Sequence, residues 1–191
     1  MRNYLLLLVC AAFLFSVGCG GGVQYRDPAS DKGSREWGPK EVQDTTKVMV
    51  ESIYGFLKDE WKGPAIIRVK QVDNKSSQHV QPKMLTNAIT TNLVKKKIAI
   101  EEDDFMKDTL EEIEKSQAGL IDENFSIPVG TLRSPNFILS GRIDDNVRYE
   151  GGKEIQYIVV TMKLTNLTTG QRVWSDQKEF YKVSSTKSYS W

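Results

Sequence analysis

The residues from Lys153 to Leu167, KEIQYIVVTMKLTNL, constrain the fold more than any other stretch of this chain. Ile155, Tyr157, Val159, Thr161, Lys163 and Thr165 alternate with Gln156, Ile158, Val160, Met162 and Leu164, a period of two that a helix cannot use and that gives a strand one buried face. Gly151-Gly152 marks a turn before the segment, and Thr168-Thr169-Gly170-Gln171 marks another after it. PNFILSGRIDDNVRYEG on one side and RVWSDQKEFYKV on the other read as its partners, so the carboxyl half is predicted to be an antiparallel three-strand meander.

Upstream, the period changes to that of helices alternating with short strands. Val42, Val48, Met49, Ile53, Phe56, Leu57 and Trp61 suit an amphipathic helix that Gly63-Pro64 stops. AIIRVKQVD, from Ala65 to Asp73, reads as a largely covered strand, and the polar loop Asn74 to Ser77 follows it. QPKMLTNAITTNLVK reads as a second helix, with Pro82 tolerated in its first turn. Ile98-Ala99-Ile100 lies among charges and is placed as a strand near a sheet edge. DDFMKDTLEEIEKSQAGL makes a third helix, acidic at its start and with Lys115 late, with Phe105, Met106, Leu110 and Ile113 on one face, and VGTLRS is a short helical or turn segment before the meander. The expected class is α+β, or mixed α/β: one sheet of about five strands covered by three to four helices.

The amino terminus has a different character. MRNYLLLLVCAAFLFSVG carries Arg2, an apolar run and small residues at its end, which is signal-peptide anatomy. The run is too short for a span that needs about 20 apolar residues. Cys19 follows Gly18, as bacterial lipoprotein signals require of the cysteine that accepts a diacylglycerol, so Cys19 is the expected lipidation site. Cys10, preceded by Val9, lacks the small residue. The organisation expected is a lipoprotein signal peptide over residues 1–18, a lipidated tether over 19–41, a globular domain over 42–184 and a tail over 185–191. The Gly-, Pro- and Ser-rich tether reaches ~75 Å if pulled taut and about 25 Å as a coil. Trp37 is its one large aromatic residue, a candidate to pack back on the domain. With the signal removed the chain balances 25 Lys and Arg against 25 Asp and Glu, which argues against a nucleic-acid partner.

A search for catalytic groups finds little. His79 is the only histidine and lies in a polar loop with no fixed acid partner in the sequence. Glu101-Glu102, Asp103-Asp104, Glu111-Glu112 and Asp144-Asp145 are adjacent acids at helix starts or on exposed faces, where charge is simply solvated. Gly20-Gly21-Gly22 precedes no element that would make it a phosphate cradle. Tyr149, Tyr157, Trp174, Phe180 and Tyr181 gather in the meander, and Tyr149 and Tyr181 beside Arg148 and Lys182 have the composition of interface anchors.

Three segments together resemble the LpoB family of penicillin-binding-protein activator lipoproteins: VKQVDNKSSQHVQPKMLTNAITTNLVKK, VGTLRSPNFILSGRI and LTNLTTGQRVWSDQKEFYK. The resemblance covers roughly residues 40 to 183 and implies a domain like the amino-terminal domain of TolB, held by lipid at the outer membrane and facing the periplasm. It implies binding and activation of a bifunctional peptidoglycan synthase, a class A penicillin-binding protein, without catalysis, metal or cofactor. Arg133, Arg142, Arg148, Tyr149 and Tyr181 are the candidate contacts for that partner. The tether is shorter than the proline-rich one of better-known members. The alternative is an envelope assembly or secretion lipoprotein like those of the curli pore, but the chain has no spare alternating hairpin from which to build a membrane barrel.

Overall fold

The computed structural model describes residues 26–101, 103–128 and 130–185, leaving out the side chains of 103–105. Residues 26–30, in a separate amino-terminal unit, hold a short 3-10 turn, Pro28–Ser30. The compact unit that begins at Asp31 contains every other element. Cys19, the signal segment and residues 186–191 lie outside the described residues.

Helix α1 spans Pro39–Phe56, with proline in the first turn, and the Gly38 N–H donates to Glu41 Oε2 at 2.9 Å. It ends in a single π-type turn, Leu57–Trp61, closed by the Lys62 N–H on the Leu57 carbonyl. Strands β1 (Ile66–Val69) and β2 (Asp73–Asn74) are followed by α2 (Pro82–Lys95), β3 (Ala99–Glu101) and α3 (Asp103–Gln117). The chain closes with β4 (Phe137–Glu150), β5 (Lys153–Asn166) and β6 (Arg172–Ser185). Among the described residues, VGTLRS forms no helix.

All six strands form one sheet in the order β3-β1-β4-β5-β6, with β2 also on β4. β1 pairs parallel with β3 and β4, whereas β4-β5 and β5-β6 are antiparallel, which gives the expected meander and puts β3 at an edge. The sheet is therefore mixed, and the strand expected over 65–73 is two strands. Ile67 pairs with Phe137 but Asp73 pairs with Arg142, so β1 and β2 are offset by one residue along β4. That extra residue lets Val72 turn inward, where it is buried. Gly141 makes the crossing possible: a Cβ there would lie 3.3 Å from both Val72 Cγ2 and Met162 Cγ.

α1 and α2 cover one face of the sheet. Met49, Val50, Ile53 and Leu57 from α1 and its π turn, with Leu85, Ile89 and Leu93 from α2, meet Ile67, Phe137, Leu139, Ile143, Ile158, Val160, Met162 and Leu164 in a continuous core. The i, i+4 spacing of each helix and the period of two in each strand put these side chains on facing surfaces. Trp61 packs edge-on against Phe137 with centroids 4.8 Å apart. Trp174 donates its indole N–H to Ser52 Oγ at 3.1 Å, tying β6 to α1. The third helix behaves differently, since none of its described side chains is buried.

Residues 31–38, assigned to the tether by sequence, lie against this same face. Trp37 stacks edge-on with Phe180 at 5.9 Å, and its N–H donates to Gln78 Oε1. Arg35 pairs with Glu154. Lys182 Nζ donates to the carbonyls of Ser34 at 3.2 Å and Glu36 at 2.9 Å and pairs with Glu41 Oε1 at 2.7 Å. One β6 ammonium thus joins the strap, the start of α1 and the last strand.

Candidate functional site

With the helices on one face, strand alternation sends the other half of the meander's side chains to the opposite face, where none is buried. Near the β4-β5 turn this open face holds a hollow of about 340 Å³ lined by Asn146, Arg148, Ile155, Tyr157 and Tyr181. Cross-strand register builds it. Asn146 pairs with Tyr157 and Tyr157 with Tyr181, while in the next row Arg148 pairs with Ile155 and Ile155 with Val183. Neighbouring strands lie about 4.8 Å apart, so each row is a ~10 Å ladder of aromatic, aliphatic and polar groups.

The polar groups of the hollow are lightly held. Arg148 Nη2 lies 3.5 Å from the Tyr181 hydroxyl, at the limit of a hydrogen bond, so most of its donors remain for a partner. The Glu179 carboxylate, together with partial desolvation, holds the Tyr157 phenol above the usual tyrosine range. Tyr181 and Val183 are 61% and 52% exposed, an aromatic-aliphatic pair offered to solvent. Tyrosine and arginine are the materials of protein-protein hot spots. Among the described residues, no group of three or more His, Cys, Asp or Glu could hold a metal ion.

The five candidate contacts are not one cluster. Arg148 and Tyr181 meet in the hollow. Arg142 is on the same face further along β4, opposite Thr161, and is held by Asp144 at 2.7 Å. Tyr149 points to the helix-covered side, close enough to Arg35 to act on its charge. Arg133 is exposed in the loop before β4. Lys182, next to Tyr181, faces inward and is used by the strap. Asn146 and Ile155 escaped the reading by composition. Ile155 shares its strand parity with Tyr157 and Asn146 with Arg148, but joining the two strands' parities requires the register.

Nearby on the covered face, Asp145 accepts hydrogen bonds from the Ser77 hydroxyl, the Ser77 N–H at 2.9 Å and Gln156 Nε2 at 2.7 Å. Burial pushes its carboxyl up, but these bonds together outweigh it and hold the group below its ordinary value. They pin the 74–78 loop to the sheet. His79, just beyond, is exposed.

Among the described residues, no helix is long and apolar enough to cross a membrane. None of the curated proteins matches the chain. Solved structures that resemble it include the LpoB carboxyl-terminal domain from Salmonella enterica, at 14% identity over 69% of this chain and 94% of that one, with a TM-score of 0.42. The NMR structure of Escherichia coli LpoB is 14% identical over 86% of this chain and 78% of that one, with a TM-score of 0.41. The lipoprotein GNA1162 from Neisseria meningitidis is 13% identical over 63% and 85%, with a TM-score of 0.40. The family model of the peptidoglycan-synthase activator LpoB matches residues 40–180, from the first turn of α1 to Phe180 in β6. The chain therefore belongs to the LpoB family of peptidoglycan-synthase activators.

Proposed function

We propose that the protein is a lipoprotein anchored through Cys19 in the outer membrane, and that it binds and stimulates a bifunctional, class A peptidoglycan synthase in the periplasm. The observation that carries this reading is the family match across 40–180, which spans α1, α2 and nearly all of the sheet. The open face around Arg148, Tyr157 and Tyr181 is the docking surface in this reading, because its side chains are exposed while the opposite face is committed to the core and the strap. The domain acts by occupying a surface of the synthase, and its own residues carry out no bond chemistry.

The test uses the full chain in detergent with the class A synthases of its own cell, reading both binding and glycan polymerisation. Stimulation by the wild type, lost in Arg148→Ala with Tyr181→Ala, is expected. Neither binding nor stimulation by any of those synthases would sink the proposal. For the anchor, Cys19→Ser is expected to leave the membrane fraction; continued attachment would refute lipidation at Cys19.

A further inference from the structure

Charge is distributed unevenly along this nearly neutral chain. From Glu101 to Glu123, ten Asp and Glu face two Lys, whereas the other 168 residues hold 24 Lys and Arg against 15 Asp and Glu. The acidic segment contains α3, whose Met106, Leu110 and Ile113 form a stripe at i, i+4, i+7 spacing. In the folded domain Leu110 at the centre of that stripe is 47% exposed, Met106 and Ile113 are half-buried, and Leu120 and Phe125, in the loop beyond the helix, are 77% and 81% exposed. An acidic helix with an open apolar stripe calls for an apolar groove with a basic rim.

The chain itself carries such a groove. A hollow of about 290 Å³ runs between α1 and α2, lined by Val42, Thr46 and Val50 along one helix and Ala88 along the other, with Lys47 and Lys96 at its edges. Lys96 is held by Glu51 at 2.8 Å, and Lys47 enters no ion pair among the described residues. The Thr46 hydroxyl is buried in the floor of the hollow without a partner among those residues. Lengths agree: Met106 to Ile113 spans ~10 Å of helix and Val42 to Val50 ~12 Å at 1.5 Å per residue.

We propose that α3 of one copy docks in the α1–α2 groove of a second copy, with Leu110 in the hollow and Glu114 beside Lys47. Helix and groove are different surfaces, so the contact is heterologous and leaves a free helix and a free groove at the ends of each pair. Copies therefore add into chains or rings, independently of the partner taken by the open sheet face.

Sedimentation of the full chain, in enough detergent to hold one copy per micelle, tests this across a concentration series. The wild type is expected to grow beyond dimers. Leu110→Asp disables the helix and Ala88→Trp fills the groove; each alone is expected to stay monomeric, and their mixture to stop at dimers, since only one helix-groove pair remains. Lys47→Glu and Glu114→Lys leave the packing intact. Each is expected to weaken association about tenfold or more, as loss of an interface anchor does, and mixing them restores it. A wild type monomeric throughout the series, or either packing variant associating like the wild type, overturns the proposal. So does a disulfide formed within one chain between Leu110→Cys and Ala88→Cys, which would place the helix in its own groove.

Discussion

Replacing Lys182 with Met keeps the aliphatic stem and removes one charge, and the consequences can be worked from its neighbours. The Lys182 ammonium is the counter-ion of Glu41, a residue only 3% exposed, and it also satisfies the carbonyls of Ser34 and Glu36. Breaking a buried pair from one side typically costs about 3–5 kcal/mol, because the remaining charge is left desolvated. Here Glu41 keeps the Gly38 N–H bond at 2.9 Å, and the Lys182 side chain is 13% accessible, so water offsets part of the loss. The expected destabilisation is about 2–3 kcal/mol. With a urea dependence near 2 kcal/mol per M, the unfolding midpoint of the full chain falls by about 1–1.5 M. Adding Glu41→Gln removes the orphaned charge and is expected to recover about half of the loss, a coupling of at least ~1 kcal/mol. Trypsin should also cut faster after Arg35, since the strap loses two carbonyl contacts. An unfolding free energy within ~0.5 kcal/mol of wild type, or two substitutions whose effects simply add, would refute the clamp.

Phe137→Ala removes a fully buried ring in contact with Trp61 and should cost about 3–5 kcal/mol in urea unfolding; a loss below 1 kcal/mol would mean that the site collapses freely. Gly141→Ala puts a methyl group where Val72 and Met162 already meet, and a lower thermal midpoint of about 3–6 °C is expected for a cost near 1–2 kcal/mol. The hydrogen bonds to Asp145 stabilise its ionised form, so their contribution is complete above the ordinary value of 3.8 and is lost as pH falls below it and through the lower folded value. Asp145→Asn should therefore be less stable than wild type at neutral pH, with the gap narrowing below about pH 4; a gap independent of pH would rule out the charge as the cause. Tyr181→Ala changes an exposed side chain and is expected to leave the unfolding free energy within ~0.5 kcal/mol of wild type.

Much of this architecture is legible in the sequence because local periodicity and turn chemistry are local properties. The alternation of Lys153 to Leu167, the Gly151-Gly152 turn and the turn ending at Gly170 suffice for the meander, and the spacings of Met49, Ile53 and Leu57 and of Leu85, Ile89 and Leu93 suffice for the two covering helices. The order in space is another matter. That β1 inserts between β3 and β4, and that Val72 leaves the strand to fill the space over Gly141, depends on residues far apart in the chain.

What the sequence by itself determined is the class of fold, the elements and their periods, and the resemblance that pointed to the family. Which side chains share the open face was decided only in tertiary structure, through one residue of register. Thr165 pairs with Arg172, but Leu164 pairs with Trp174, so a bulge inserts one residue into β6. Without that residue Tyr157 would oppose Phe180, and the side chains of β6 would change faces. With it, Phe180 turns inward to meet Trp37, Lys182 reaches Glu41, and Tyr181 stands opposite Tyr157 beside Arg148. Composition names tyrosines and arginines as anchors. Only a sheet with one face filled by α1 and α2 decides which of them face solvent together.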